Sequence, residues 1–156
     1  VKIDVAGQLS YLYAQKENAK ISLKSSGNKA VVHTVFLENP AKLDFVSDSK
    51  KEPCNIYVLA KSDIKISGKN KKKDVVAIND SAEETNITAD KSITVFADAR
   101  TTLVVNSGAK DSKITTLDYK TPITVTNNTG ASLLVSTPSG KKTVEAGKTH
   151  TVTGKN

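Results

Sequence analysis

Apolar residues run along the chain in short bursts of three to five, rich in Val, Ile and Leu and bounded by Gly, Asn, Asp, Ser or Lys. That is the grammar of strands: a strand needs few residues to cross a core, and polar, flexible residues turn the chain between crossings. No helical period is sustained after about residue 20. Residues 7–20 differ, because Leu9, Leu12 and Tyr13 fall at i, i+3 and i+4. That spacing predicts a short N-terminal helix.

The bursts also repeat. Ile64-Lys65-Ile66, Ile93-Thr94-Val95 and Ile123-Thr124-Val125 recur at intervals of 29 and 30 residues. A second burst follows each, at residues 75–78, 103–105 and 133–135, and Lys91, Lys120 and Lys148 close the units at turns that read as solvent-exposed. The pattern predicts an all-β chain built from ~30-residue units of three short strands. The clearest units are 62–91, 92–120 and 121–148, within a repeated β domain over residues 31–156. Residues 1–30 form an N-terminal cap or lead-in strands.

Two architectures satisfy this pattern. In a β-solenoid each unit is one coil, and coils stack so that successive Ile and Val side chains form interior ladders. In a β-sandwich the bursts are meander strands joined by hairpins, which the turn sequences Asn127-Asn128-Thr129-Gly130 and Pro138-Ser139-Gly140 would suit. The near-constant spacing favours the solenoid, with the sandwich as the alternative.

Composition narrows the function. The 156 residues fit one domain, hydrophobic residues make up 37% and aromatics 4%, and Trp and Met are absent. No apolar run approaches the ~18–20 residues of a spanning helix. Cys54 stands alone, which excludes a disulfide scaffold. The net charge of +7 comes almost wholly from Lys, since Arg100 is the only arginine. Nucleic-acid binders lean on Arg for bidentate contacts and on aromatics for stacking, so nucleic acid is not the expected partner. The chain opens at Val1 without a start Met, which fits a removed leader or a piece of a longer protein. A single Cys and no Met suit an extracellular or cell-surface setting, and oxidation there.

The Ser/Thr/Asn/Lys-rich coils with Ile-Thr-Val triplets resemble the right-handed parallel β-helices of bacterial surface and adhesin-type proteins. The resemblance covers residues 62–156 and is one of pattern. The glycine-aspartate nonapeptides of calcium-binding toxin repeats are missing. Thr94, Thr124 and Thr151 occur once per unit, unlike the Thr-x-Thr ranks of ice-binding solenoids. The resemblance implies a non-catalytic extracellular module for adhesion, structural scaffolding or binding of cell-wall or host polymers. The alternatives are a carbohydrate-binding or carbohydrate-active module and a β-sandwich that binds a protein partner.

Few residues offer chemistry. Lys69, Lys71, Lys72 and Lys73 form the densest basic run, a solvated loop or a contact for an anionic polymer such as a cell-wall phosphate or acidic glycan. Tyr57 and Tyr119 are the candidate platforms for a polysaccharide. Asp80, Glu83 and Glu84, with Asn79, supply oxygen donors in one loop, so Ca²⁺ is the cation to consider, although the EF-hand order is absent. His33 and His150 are 117 positions apart, and Cys54 lies in no Cys–His motif. No cofactor and no catalytic residue are expected.

Overall fold

The computed structural model describes residues 1–155. The chain winds between two sheets. Sheet 1 holds β1 (Lys2–Val5), β3 (Ala19–Ser25), β5 (Ala41–Ser47), β7 (Ser62–Ser67), β9 (Glu84–Ala89), β11 (Arg100–Val105), β13 (Ile123–Asn127) and β16 (Thr149–Val152). Sheet 2 holds β2 (Gln8–Ala14), β4 (Val31–Leu37), β6 (Asn55–Val58), β8 (Asp74–Ile78), β10 (Ile93–Ala97), β12 (Lys113–Thr116), β14 (Leu133–Thr137) and β15 (Gly140–Val144). From β1 to β14 every strand pairs in parallel with the strand two along. Parallel neighbours need a crossover between them, and here the crossover is the intervening strand of the opposite sheet. The result is an all-β solenoid of about six turns, 56% strand. Its only helical pieces among the described residues are single 3-10 turns at Asp80–Ala82 and Ser107–Ala109.

The coil is smaller than the repeat suggests. Along sheet 2 the register runs Leu12, Val35, Ile56, Val76, Val95, Ile114, Val135, in steps of 19–23 residues. Each coil therefore has two strands and not three. The 29- and 30-residue spacing is a coil and a half: Ile64 lies on β7, Ile93 on β10 and Ile123 on β13, alternating between sheets. Ile64 stacks on Ile87, not on Ile93. Both sheets need the same inward Ile and Val, so a half-coil copies itself along the sequence as well as a whole coil does.

Residues 7–20 form no helix. β2 pairs with β4 and puts Leu9 and Leu12 toward the interior, Tyr11 and Tyr13 outside. The strand departs from strict alternation between Leu9 and Leu12, which produced the helical spacing; pairing to β4 decides the conformation, as tertiary context overrides local propensity. Asn18 turns the chain into β3 at φ 59.

Inside, the ladders are apolar: Leu23 on Phe45 on Ile66 in sheet 1, Val35 on Ile56 on Val76 in sheet 2, all nearly inaccessible. Burying a side chain of this kind contributes about 1.5–3 kcal/mol. Only the C-terminal end follows the sandwich alternative, and only locally. β15 folds back on β14 through Gly140 (φ 124), and β16 lies antiparallel on β13, so the final strands, two hairpin-like reversals, end the parallel stack. Buried Asn127 closes that end by donating to the carbonyls of Ala131 (2.8 Å) and Val144 (2.9 Å).

Candidate functional site

The turns that lead from sheet 1 to sheet 2 line up along one edge, and their lengths shape it. The β7–β8 turn has six residues (68–73), the β9–β10 turn three (90–92) and the β11–β12 turn seven (106–112). The short middle turn leaves a notch between two longer ones. The notch opens onto β12, β14 and β15 as a groove of about 1050 Å³. Gly108 sits so close to the Asp90 carbonyl that a Cβ there would collide with it, which lets the long turn seat against the short one.

Seven lysines line this groove: Lys69, Lys71 and Lys73 from the first turn, Lys91 from the short middle turn, Lys110 and Lys113 from the third turn and β12, and Lys141 from β15. The acidic lining residues are Asp90 and Asp111, and Asp90 is already engaged by Lys65 at 4.0 Å and by the Asn106 amide at 2.6 Å. The excess charge is positive.

The basic turn is held from beneath. Asn70 is buried within it and donates from Nδ2 to the Glu52 carbonyl (3.0 Å) and to Ser47 Oγ (3.3 Å). Its Oδ1 accepts the Lys72 N–H at 3.0 Å, and Asp48 accepts the Lys69 N–H at 2.8 Å. Gly68 takes φ 115 where any Cβ would strike the Ser47 backbone. With the middle of the turn fixed inward, Lys69 and Lys71 project outward into water.

Lys91, expected at a solvated turn, is instead buried; Lys120 and Lys148 are exposed. Its ammonium meets Asp74 Oδ2 at 2.5 Å and donates to the Lys72 carbonyl at 2.9 Å. Asp74 has no exposure, and its Oδ1 accepts the Cys54 N–H (2.8 Å) and the Ser47 hydroxyl (3.2 Å). A buried charge needs a partner and hydrogen bonds, and this pair has both. Through Lys72 and Ser47 the pair also ties the groove floor to the basic turn. The Cys54 thiol lies beside it, pushed well above the ordinary thiol range by burial and then by the Asp74 charge. It is held as a neutral, unreactive thiol.

The other expected residues are placed as follows. Lys72 is drawn away from the groove and donates to the Lys51 carbonyl. Tyr57 belongs to a row on the outer face of sheet 2: its ring stacks on Phe36 at 5.3 Å and 17°, and Phe36 stacks on Tyr13 at 5.0 Å and 9°. Tyr119 is exposed in the β12–β13 turn, apart from that row. Asp80 begins a 3-10 turn capped by Asn79, Glu83 turns the chain at φ 60, and Glu84 pairs with Lys61 at 3.8 Å. Among the described residues no three His, Cys, Asp or Glu side chains gather to hold a metal ion. His33 faces Glu52 at 3.4 Å, and His150 lies exposed on β16.

Sequence reasoning missed Lys110, Lys113 and Lys141, which reach the groove only because coils stack. Tyr13 is concealed by a spacing that imitates a helix, and Phe36 joins it only through the pairing of β2 with β4. Compared with family models, curated proteins and solved structures, the chain matches none.

Proposed function

We propose that the protein is a non-catalytic extracellular module that binds an anionic polymer, of cell-wall or host origin, along the lysine groove. One observation carries the reading: besides the buried, paired Lys91, six lysines from three separate parts of the chain share one groove, and a buried polar network fixes the turn that supplies three of them. Clustered like charges on a fold cost stability through self-repulsion, and an extended polyanion relieves that cost while the lysines displace the counterions condensed on it. An elongated ligand also suits an elongated site that crosses several strands. The resemblance to surface and adhesin-type solenoids fits such a role.

The test compares two charge-matched triples. Lys69/Lys71/Lys73→Gln empties the first wall of the groove; Lys20/Lys24/Lys42→Gln removes equal charge from the outer face of sheet 1. Binding of inorganic polyphosphate and of polygalacturonate is followed against salt concentration. The groove triple is expected to flatten the slope of log K against log salt by about 2–3, and the sheet 1 triple to leave it nearly unchanged. Equal losses from both triples, or no binding by the unaltered chain, would overturn the reading.

A further inference from the structure

The outer face of sheet 2 carries a register line that runs Tyr13, Phe36, Tyr57, Ala77, Phe96, Thr115, Ser136, with Lys141 opposite Ser136. In the first three positions the rings are stacked face to face along the line. Each inner ring face is therefore covered by its neighbour. Tyr57 ends the stack: Phe36 covers one face, and beyond the other stands only the methyl of Ala77. Phe96 follows one rung later, and Tyr57 and Phe96 are 41% and 39% exposed. The line thus contains a gap one rung wide, floored by Ala77 and walled by two aromatic residues.

The gap has a size. Two strand spacings separate β6 from β10, which is about 9.6 Å. A flat base packed on both sides at carbon contact distance would fill only about 7–8 Å. A puckered pyranose ring is thicker and presents C–H bonds on both faces, which suit an aromatic wall on one or both sides. On the same three strands, two residues away, stand Asn55, Val75 and Thr94, the first and last of which offer an amide and a hydroxyl to sugar hydroxyls. Lys113 is in register with Thr94 on the next strand and already lines the lysine groove.

We infer that this gap is a subsite for one sugar ring of an acidic polysaccharide, whose chain crosses the strands of sheet 2 and lays its carboxylates or sulfates along the lysine groove. The inference rests on the polyanion reading above and names its ligand class. Continuity with the groove and charge complementarity select an acidic glycan over a neutral one, and the width of the gap selects a sugar over a base.

Ala77→Tyr would complete the aromatic ladder and close the gap. It is expected to lower affinity for polygalacturonate roughly fivefold, to leave affinity for inorganic polyphosphate unchanged, and to keep or raise the melting temperature, since it adds a cross-strand stack. Tyr57→Ala removes one wall and is expected to give the same selective loss, whereas Tyr13→Ala, at the far end of the stack, is expected to give none. Three results would overturn the inference: polygalacturonate binding indifferent to Ala77→Tyr, a loss with Tyr13→Ala as large as with Tyr57→Ala, or an oligothymidylate that depends on the gap more than the polysaccharide does. If the unaltered chain bound polyphosphate but showed no gap-dependent sugar binding, only this inference would fail. If it bound neither polymer, the polyanion reading would fail first.

Discussion

The two sheets share one interior and have different exteriors. Facing inward, both present the same Ile, Val and Leu ladders. Facing outward, sheet 1 intersperses charges of both signs: Lys42 lies beside Asp63 on one side and Lys20 on the other, Asp44 lies beside Lys65, and Asp63 accepts from the Asn86 amide at 2.9 Å. Farther along it becomes a Thr surface, with Thr124 bonded to Thr151 at 2.9 Å. Sheet 2 has no acidic residue on β12, β14 or β15 and gathers its aromatic residues and its groove lysines on one side. Since the pleat assigns alternate residues to each face, the inward set can specify the coil while the outward set varies freely. An outer face that intersperses both signs of charge has less need of a ligand. The face that leaves charge and ring surface unpaired is where binding is expected.

The buried pair behind the groove gives the sharpest way to break this contrast. Lys91→Ala leaves Asp74 buried without a counter-charge and is expected to cost about 3–5 kcal/mol in urea unfolding. It also frees the Lys72 carbonyl, so polyanion affinity is expected to fall in protein that is still folded. The double change Lys91→Met with Asp74→Leu is expected to recover only part of the stability, because an apolar pair carries no charge to desolvate but leaves the Cys54 N–H and the Ser47 hydroxyl without their acceptor. If Lys91→Ala cost under about 1 kcal/mol, the range of an exposed ion pair, the pair would not be holding the turn.

The interiors should behave alike. Ile56→Ala in sheet 2 and Ile66→Ala in sheet 1 remove equal side chains from equally inaccessible sites. Each is expected to cost about 2–5 kcal/mol, and neither to change the salt dependence of polyanion binding. A loss confined to one sheet would show that the two inner faces are not equivalent.

How far the sequence discloses this molecule follows from the same division. Inward residues repeat, so the all-β solenoid was legible in Ile64, Ile93 and Ile123. The size of the coil was not, because an inward Ile looks the same on either sheet and the half-coil sets the visible period. The basic run at 69–73 was legible as charge. Its role as one wall of a groove was not, since Lys110, Lys113 and Lys141 join it only through strand register. Lys91 was misplaced for a related reason: a Lys in a turn sequence reads as solvated until its neighbour on the previous coil, Asp74, is known. The aromatic row was hidden by Tyr13 and Leu9, whose spacing imitates a helix.

The smallest expected effect is a pH dependence confined to the groove side of the interior. Cys54 lies next to the Asp74–Lys91 pair at the entry to β6, and burial raises its thiol above the ordinary range, with the Asp74 charge adding to the shift. In the unfolded chain the thiol ionises near pH 8.5. Below that value both states hold the proton, and the native burial carries no penalty. Above it the unfolded chain releases a proton that the folded chain keeps, so unfolding becomes easier as pH rises, by up to about 1.4 kcal/mol per pH unit. Cys54→Ala removes this slope while imposing a constant, pH-independent cost for the lost sulfur. Unfolding free energies measured between pH 7.5 and 9.5 — roughly the span from below the free thiol value to the start of lysine titration — should therefore converge for the two chains as pH rises. Ile66→Ala, on the opposite sheet, should run parallel to the unaltered chain over the same range. Parallel curves for Cys54→Ala as well would mean that the thiol is not kept protonated by the fold, and that the two halves of the interior differ less than the buried pair suggests.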